Sequence, residues 1–316
     1  MLTHEQLMAS IGNTVDRITI DGLGERSQGK VRDMYQRDDK LILITTDRVS
    51  AFDRILGLIP YKGQVLNQLS AWWFEQVSDI VGNAVVSIPD PNVTIAKQAK
   101  TLPIEVVVRA YITGVTSTSL WTLYANGDRV PYGIHLPNGL EKNDPLPFPI
   151  VTPTTKAVSG HDERLSSDEI IERGILSPEI WSDVKVKALK VFKRGQAIAQ
   201  RAGLILVDTK YEFGLIDGEV VLIDEIHTPD SSRYWTQASY DAGQPRNISK
   251  EFLREWFKEQ GYAGEGTPPI MPDDFIAQVA ARYIEVYEQL TGQTFQPAQQ
   301  PAAERIAHNL APHIRE

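Results

Sequence analysis

The stretch from Gly203 to Trp235 constrains the fold more than any other part of the chain. It reads G-L-I-L-V-D-T-K-Y-E-F-G-L-I-D-G-E-V-V-L-I-D-E-I-H-T-P-D-S-S-R-Y-W. Two β-rich runs, Leu204 to Phe213 and Glu219 to Ile226, flank Asp217-Gly218, the pattern of a hairpin. Side chains alternate across a strand, so Asp208, Lys210 and Glu212 share one face while Val207, Thr209, Tyr211 and Phe213 take the other. The second set is core. The first set is either a solvated polar face or a site of chemistry.

Where Asp224 falls depends on the turn. A two-residue Asp-Gly loop sets Glu212 opposite Ile223 and sends Asp224 to the core face, whereas a three-residue loop with a left-handed Gly218 pairs Lys210 with Asp224. Burying a lone carboxylate is costly, which favours the second register. It gathers two or three carboxylates around one lysine, the oxygen-rich set that a hard divalent cation takes when substrate phosphates complete its shell. Directly after the hairpin, Thr228-Pro229-Asp230-Ser231-Ser232-Arg233 is a polar loop at a strand end, where binding groups tend to gather.

Upstream, Gly22 to Tyr35 is a glycine-rich turn ending in Gly29-Lys30-Val31-Arg32, whose backbone and basic side chains suit an anion. It is not a Walker P-loop. Leu41 to Thr46 reads as a buried strand running into Asp47-Arg48-Val49-Ser50-Ala51-Phe52-Asp53, where Asp47 or Ser50 is either a cap or a ligand contact. Gln64 to Val77 carries Leu66, Leu69, Trp73 and Val77 at helical spacing. Arg109 ends the apolar strand Leu102 to Val108 and needs a carboxylate or phosphate partner. Asn126 to Thr155 is rich in Gly, Pro and Asn and reads as turns and extended loop. Helices are expected over Trp181 to Ala202, Ser249 to Gln260, Pro272 to Thr291 and Pro297 to Ile314.

The ordered pair V-D-T-K-Y-E-F-G and D-E-I-H-T-P-D-S-S-R-Y-W resembles the signature of the phosphoribosylaminoimidazole-succinocarboxamide synthase (SAICAR synthetase) family. The segments G-K-V-R-D-x-Y, D-R-V-S-A-F-D, R-A-Y-I-T-G, P-T-T-K and H-D-E follow in family order, so the resemblance runs from about Lys30 to Trp235. It implies an α+β fold of two lobes: a β-rich N-terminal lobe over 1–110 with a phosphate-binding loop, and an ATP-grasp-like lobe over 111–316 closed by C-terminal helices. It also implies an ATP-dependent ligase joining L-aspartate to 5-amino-1-(5-phosphoribosyl)imidazole-4-carboxylate (CAIR) through an acyl phosphate.

By the same resemblance Gly29, Lys30, Arg32, Glu105, Glu212 and Asp224 bind ATP, and Glu212 and Asp224 hold Mg²⁺. Asp47, Ser50, Arg109, Asp208, Ser232 and Arg233 contact substrate, while Lys210, Asp208 and Arg233 act at the reacting centre. The H-D-E segment, with His161, points to nucleotide or aspartate binding. Val115 stands where many members carry serine, leaving that hydroxyl's role to Thr116, Ser117 or Ser119.

Other classes fit less well. Forty-one acidic against 32 basic residues give a net charge of −9, which disfavours a nonspecific nucleic-acid or anionic-membrane binder. The chain has no cysteine, which excludes disulfides and zinc-thiolate sites and fits the cytoplasm. Its N-terminus lacks a signal-peptide pattern, and no apolar run approaches the ~18 residues of a transmembrane helix. A kinase would require H-R-D-x-x-x-x-N and D-F-G, which are missing. A nucleotide-binding regulator would need neither Glu212 nor Asp224. The expected assembly is a monomer or small homo-oligomer acting on small molecules.

Overall fold

The computed structural model describes residues 2–314 apart from 53, 117, 157–162 and 249, and of residue 251 only the backbone. The strands up to residue 97 are β1 (Arg26–Gln28), β2 (Arg32–Arg37), β3 (Lys40–Thr45), β4 (Arg48–Ala51), β5 (Arg54–Leu58), β6 (Val85–Asp90) and β7 (Val93–Lys97). They make an antiparallel sheet of order β1-β2-β3-β7-β6, with β4 and β5 as a separate ribbon. β8 (Lys100–Tyr111), β9 (Pro145–Thr155), β10 (Leu204–Ile216) and β11 (Glu219–Leu222) form the second sheet in the order β11-β10-β8-β9. β12 (Ser232–Thr236) adds along β10. Hydrogen bonding therefore puts β8 in the second sheet, although a division at residue 110 assigns it to the first lobe.

The helices are α1 (His4–Ala9), α2 (Lys62–Gln76), α3 (Leu120–Ala125), α4 (Ser167–Glu172), α5 (Pro178–Arg201), α6 (Gln237–Asp241), α7 (Glu251–Glu259), α8 (Asp273–Thr291) and α9 (Ala302–Ile314). α5 starts on a Ser177 cap with Pro178 at its first position, and it buries Trp181, Val184, Ala188, Val191, Phe192 and Ala199 at helical spacing. That stripe lies against β10, and each large side chain contributes roughly 1.5–3 kcal/mol by leaving water. α9, expected to close the part of the chain after residue 110, packs instead on the first sheet. Its Ala302, Ile306 and Leu310 cover the first sheet at Tyr35, Ile42, Ile44, Val93 and Ile95, and its Arg305 is anchored on Asp90 at 2.9 Å.

Two sequence expectations are corrected. The β10–β11 turn is the two-residue loop, pairing Ile216 with Glu219 and Phe213 with Leu222, with Asp217 and Gly218 both at positive φ (52° and 84°). Such turns match the twist of the flanking strands, and that preference outweighs the cost argued for Asp224. Asp224 avoids the core by another route, because β11 ends at Leu222 and the chain bends out of the ladder. The proline-rich run before Thr155 is the strand β9, not a loop. Pro145, Pro147, Pro149 and Pro153 all fall on odd positions, and β9 lies at the sheet edge, so their missing N–H groups face away from β8. Among the described residues no helix is long and apolar enough to cross a membrane.

Candidate functional site

The polar face of β10 forms as its alternation requires. Tyr211 and Phe213 point into the main core, while Asp208, Lys210 and Glu212 face the opposite side; Val207 departs from the pattern at a bulge against β12 and packs with Ile205 and Trp235. Lys210 Nζ bridges Glu105 Oε1 (2.7 Å) and Glu212 Oε1 (2.6 Å), and Glu212 also pairs with Lys156. Burial pulls the Lys210 ammonium down, but Glu212, Asp224 and Glu105 outweigh it and hold it firmly charged. The carboxylate of Glu105 thus serves this polar centre. One step along the strand, Asp208 receives Arg109 (3.5 Å) and Arg233 (3.8 Å), and Arg109 also donates to Thr152 Oγ1 at 2.9 Å.

Across from this face stands the glycine-rich turn. Arg32 forms an ion pair with Asp224. Burial would raise the Asp224 carboxyl, but Arg32 and Lys210 drive it well below the usual range. Its neighbour Glu225 behaves oppositely, pushed up to about 7 by burial, against Arg32 and with Asp224 adding to the push. Between the two walls lies an open cleft of about 610 Å³, lined by Gly29, Lys30, Arg32, Lys210, Glu212 and Asp224 among others. That volume suits a small-molecule ligand.

Within the D-R-V-S segment, Arg48 holds the turn in place. Arg48 is fully buried, donating to the carbonyls of Lys30 (3.1 Å), Gly29 (3.2 Å) and Asp16 and to Asp33 Oδ1 (2.9 Å). Lys62 is likewise buried, with Nζ 2.8 Å from Asp230 Oδ2, and Tyr283 donates to Asp230 Oδ1 at 2.5 Å. The signal available was position: each basic residue is set among residues of a buried run, where an unpaired charge is untenable.

Two expected ligand contacts are spent internally. The Asp47 carboxylate accepts the backbone N–H groups of Val15 (2.8 Å) and Gly63 (2.9 Å), and burial pushes it up to about 6 against those bonds. It ties the start of α2 to the first sheet, so the capping account fits it. Ser232 donates to Thr209 Oγ1 at 2.7 Å beneath β10. Ser50 does line the cleft. Of the hydroxyls near Val115, Ser119 caps α3, and Ser117 falls outside the described residues, as do Asp53, His161 and Asp162. Glu163 is exposed and donates its backbone N–H to Thr155 Oγ1.

Behind the Thr228–Arg233 loop, His227 sits at φ 55° with its ring edge-on to Trp73, Nε2 within 2.5 Å of Tyr211 OH and Nδ1 without a hydrogen bond. A Cβ on Gly195 would approach its ring to 2.4 Å, so only glycine leaves it room. Burial pushes this imidazole down to about 3. The unfolded chain, with an ordinary value near 6.5, binds the proton first, so stability is lost as pH falls from about 6.5 towards 3, at up to about 1.4 kcal/mol per unit. Asp47 and Glu225, both raised, act in the opposite sense as they protonate. Urea denaturation at pH 7.5 and 5 should therefore show a smaller acid loss for His227→Asn than for wild type, asparagine tolerating the positive φ. Equal losses would remove His227 from the acid response.

A family model described as SAICAR synthetase matches residues 25–269. Phosphoribosylaminoimidazole-succinocarboxamide synthase of Legionella pneumophila (strain Paris) is 52% identical over 297 residues, covering 91% of this chain and 95% of that protein. The chloroplastic synthase of Arabidopsis thaliana is 51% identical over 302 residues, covering 93% and 73%. Among solved structures, SAICAR-synthase from Saccharomyces cerevisiae complexed with SAICAR aligns with a TM-score of 0.79 at 33% identity, covering 90% of this chain and all of that one. A Type-2 SAICAR synthetase in complex with ADP aligns at 0.66 with 28% identity over 86% of this chain and 100% of that one.

Proposed function

The chain belongs to the SAICAR synthetase family, and from that premise we propose how its cleft carries out the ligation. The enzyme is an ATP-dependent ligase of purine biosynthesis that joins L-aspartate to CAIR, giving SAICAR, ADP and phosphate. One observation carries the residue-level reading: Lys210 stands between Glu105 and Glu212, with the Arg109–Asp208–Arg233 group on one side and Arg32–Asp224 on the other.

A carboxylate is a poor electrophile, because its oxygen leaves badly and its charge repels a nucleophile. In our reading a CAIR carboxylate oxygen attacks the γ-phosphorus of ATP, and the bond to the ADP oxygen breaks. The aspartate nitrogen, having lost one proton, then attacks the acyl carbon; a second proton leaves and the carbon–oxygen bond to phosphate breaks. Gly29, Lys30 and Arg32 receive the ATP phosphates, while Met34, Leu41, Leu43 and Ile223 offer the base an apolar wall beside Thr101. Arg109 and Arg233, aligned by Asp208, receive the ribonucleotide. Lys210 neutralises the charge that builds on the transferring phosphoryl group.

Glu212 and Asp224 fit a magnesium ion. Two carboxylates plus phosphate oxygens are the donor set Mg²⁺ takes in nucleotide sites, and both carboxylates already line the cleft beside the phosphate loop. When bound, the ion supplies further charge neutralisation. We take the two sheets as the cores of two lobes meeting between β7 and β8. We also place the enzyme in the cytoplasm, as a monomer or small homo-oligomer that binds neither nucleic acid nor membrane. The net charge of −9 and the lack of cysteine support that placement.

The direct test is ADP release from ATP and Mg²⁺ with each other substrate omitted in turn. Sustained release should require both CAIR and L-aspartate, with aspartate found in the product, and CAIR alone should support at most one turnover. If neither substrate stimulates ADP release in a folded sample that still binds ATP, the reading is overturned in favour of a nucleotide-binding regulator.

A further inference from the structure

Three anionic reactants must be told apart in one cleft: a ribonucleotide, a nucleoside triphosphate and a dicarboxylic amino acid. The structure offers three cationic poles on separate elements. Arg109 and Arg233 flank Asp208 at one end of the β10 face, and Lys30 and Arg32 rise from the glycine-rich turn opposite Glu212 and Asp224. The third pole consists of Lys250, just ahead of α7, and Lys62, the first residue of α2.

Lys250 lines the cleft with Ser50, Asp230 and Ser231, and its ammonium donates to Ser50 Oγ at 3.2 Å. Lys62 lies behind, wholly buried, with Asp230 as its partner. The two Asp230 oxygens are taken by Lys62 (2.8 Å) and Tyr283 (2.5 Å), so this carboxylate is held towards α2 and α8. Burial draws the Lys250 ammonium down and Asp230 draws it back, leaving a cation whose lost hydration a neutral hydroxyl replaces poorly. The pole also adjoins the reacting centre, because the Ser231 carbonyl accepts the Lys210 N–H at 3.0 Å.

We infer that Lys250 and Ser50, backed by the Lys62–Asp230–Tyr283 cluster, form the pocket for the side-chain carboxylate of the amino-acid substrate, L-aspartate. The inference rests on the ligase reading above. An ammonium and a hydroxyl side by side can both serve one carboxylate, and the charge-assisted bond is the stronger. An amide in that place would accept a hydrogen bond but bring no charge to the half-buried ammonium, so the pocket selects L-aspartate over L-asparagine.

The test is steady-state kinetics of Lys250→Met and Ser50→Ala, varying each substrate with the others saturating. Lys250→Met should raise the KM for L-aspartate roughly 10- to 100-fold, and should cut the preference for L-aspartate over L-asparagine by a similar factor. Ser50→Ala should raise that KM about 2- to 10-fold, and in both variants the KM values for ATP and CAIR should stay within about 3-fold. Lys250→Arg should recover part of the loss. An unchanged aspartate KM, or a rise confined to ATP or CAIR, overturns the pocket while leaving the ligase reading intact. A wild-type enzyme that fails to incorporate aspartate overturns the ligase reading itself. Should Lys250→Met not fold, Ser50→Ala decides by the same criterion.

Discussion

Lys210→Met lowers kcat by roughly 100- to 1,000-fold while the dissociation constant for ATP moves less than about 3-fold. The asymmetry follows from what Lys210 touches. In the free enzyme its ammonium is shared between Glu105 and Glu212, so its net gain on nucleotide binding is small. On the proposed mechanism its charge matters most once negative charge moves onto the transferring phosphoryl group. Methionine approximates the apolar stem of the side chain and removes the charge with its bonds to Glu105 and Glu212. Rapid-quench measurement of ADP formation, paired with equilibrium nucleotide binding, separates the two quantities. A variant that keeps kcat within about 3-fold would take Lys210 out of the reacting centre and reduce it to a counter-ion for two carboxylates.

Arg48→Met should cost about 3–5 kcal/mol of stability, since removing one partner from a buried ion-pair group leaves the opposite charge less well compensated and its other acceptors without a donor. Here the abandoned group is Asp33, fully buried and left with Arg26 and the backbone N–H of Ile18. The carbonyls of Gly29 and Lys30 lose their donor in the same stroke. The variant should therefore bind ATP more weakly than its overall fold would suggest, because the turn that carries Lys30 is no longer tied down. Urea unfolding gives the first quantity and nucleotide titration at low denaturant the second. A stability change under about 1 kcal/mol would show that Asp33 finds other partners without Arg48.

Much of the site could be read from the chain alone because strand alternation is a strict rule. Once Tyr211 and Phe213 are core, Lys210 and Glu212 must face away from it. What misled was energetic reasoning applied to one residue at a time. The cost of burying Asp224 was weighed against a turn type, but the chain separates the two by ending β11 before Asp224 is reached. Likewise Asp47 looked like a ligand contact and is a buried acceptor for two backbone N–H groups, a role set by residues 32 and 16 positions away. Sequence alone does not pair Arg48, Lys62 or Lys250 for the same reason: their partners, Asp33, Asp230 and Ser50, come from distant parts of the chain. Proline in β9 was misread because only its edge position makes it tolerable, and edge position is a property of the assembled sheet.

Glu212 and Asp224 on the cleft walls, and Asp208 further along β10, are already paired before any ligand arrives. Glu212 is held by Lys210 and Lys156, Asp224 by Arg32, and Asp208 by Arg109 and Arg233. Ligand entry is thus an exchange of partners, as on an ion-exchange resin. The affinity that can be measured is a small difference between two well-compensated states, so each contact adds little net attraction. Selectivity suffers no such cancellation. A ligand that displaces a carboxylate from its cation without supplying an equivalent charge leaves both groups stranded in a half-buried cleft, and it forfeits the full interaction. On the proposed reading, a site built this way would bind its reactants loosely and reject their near relatives firmly, which suits an enzyme that must release its product after every turnover.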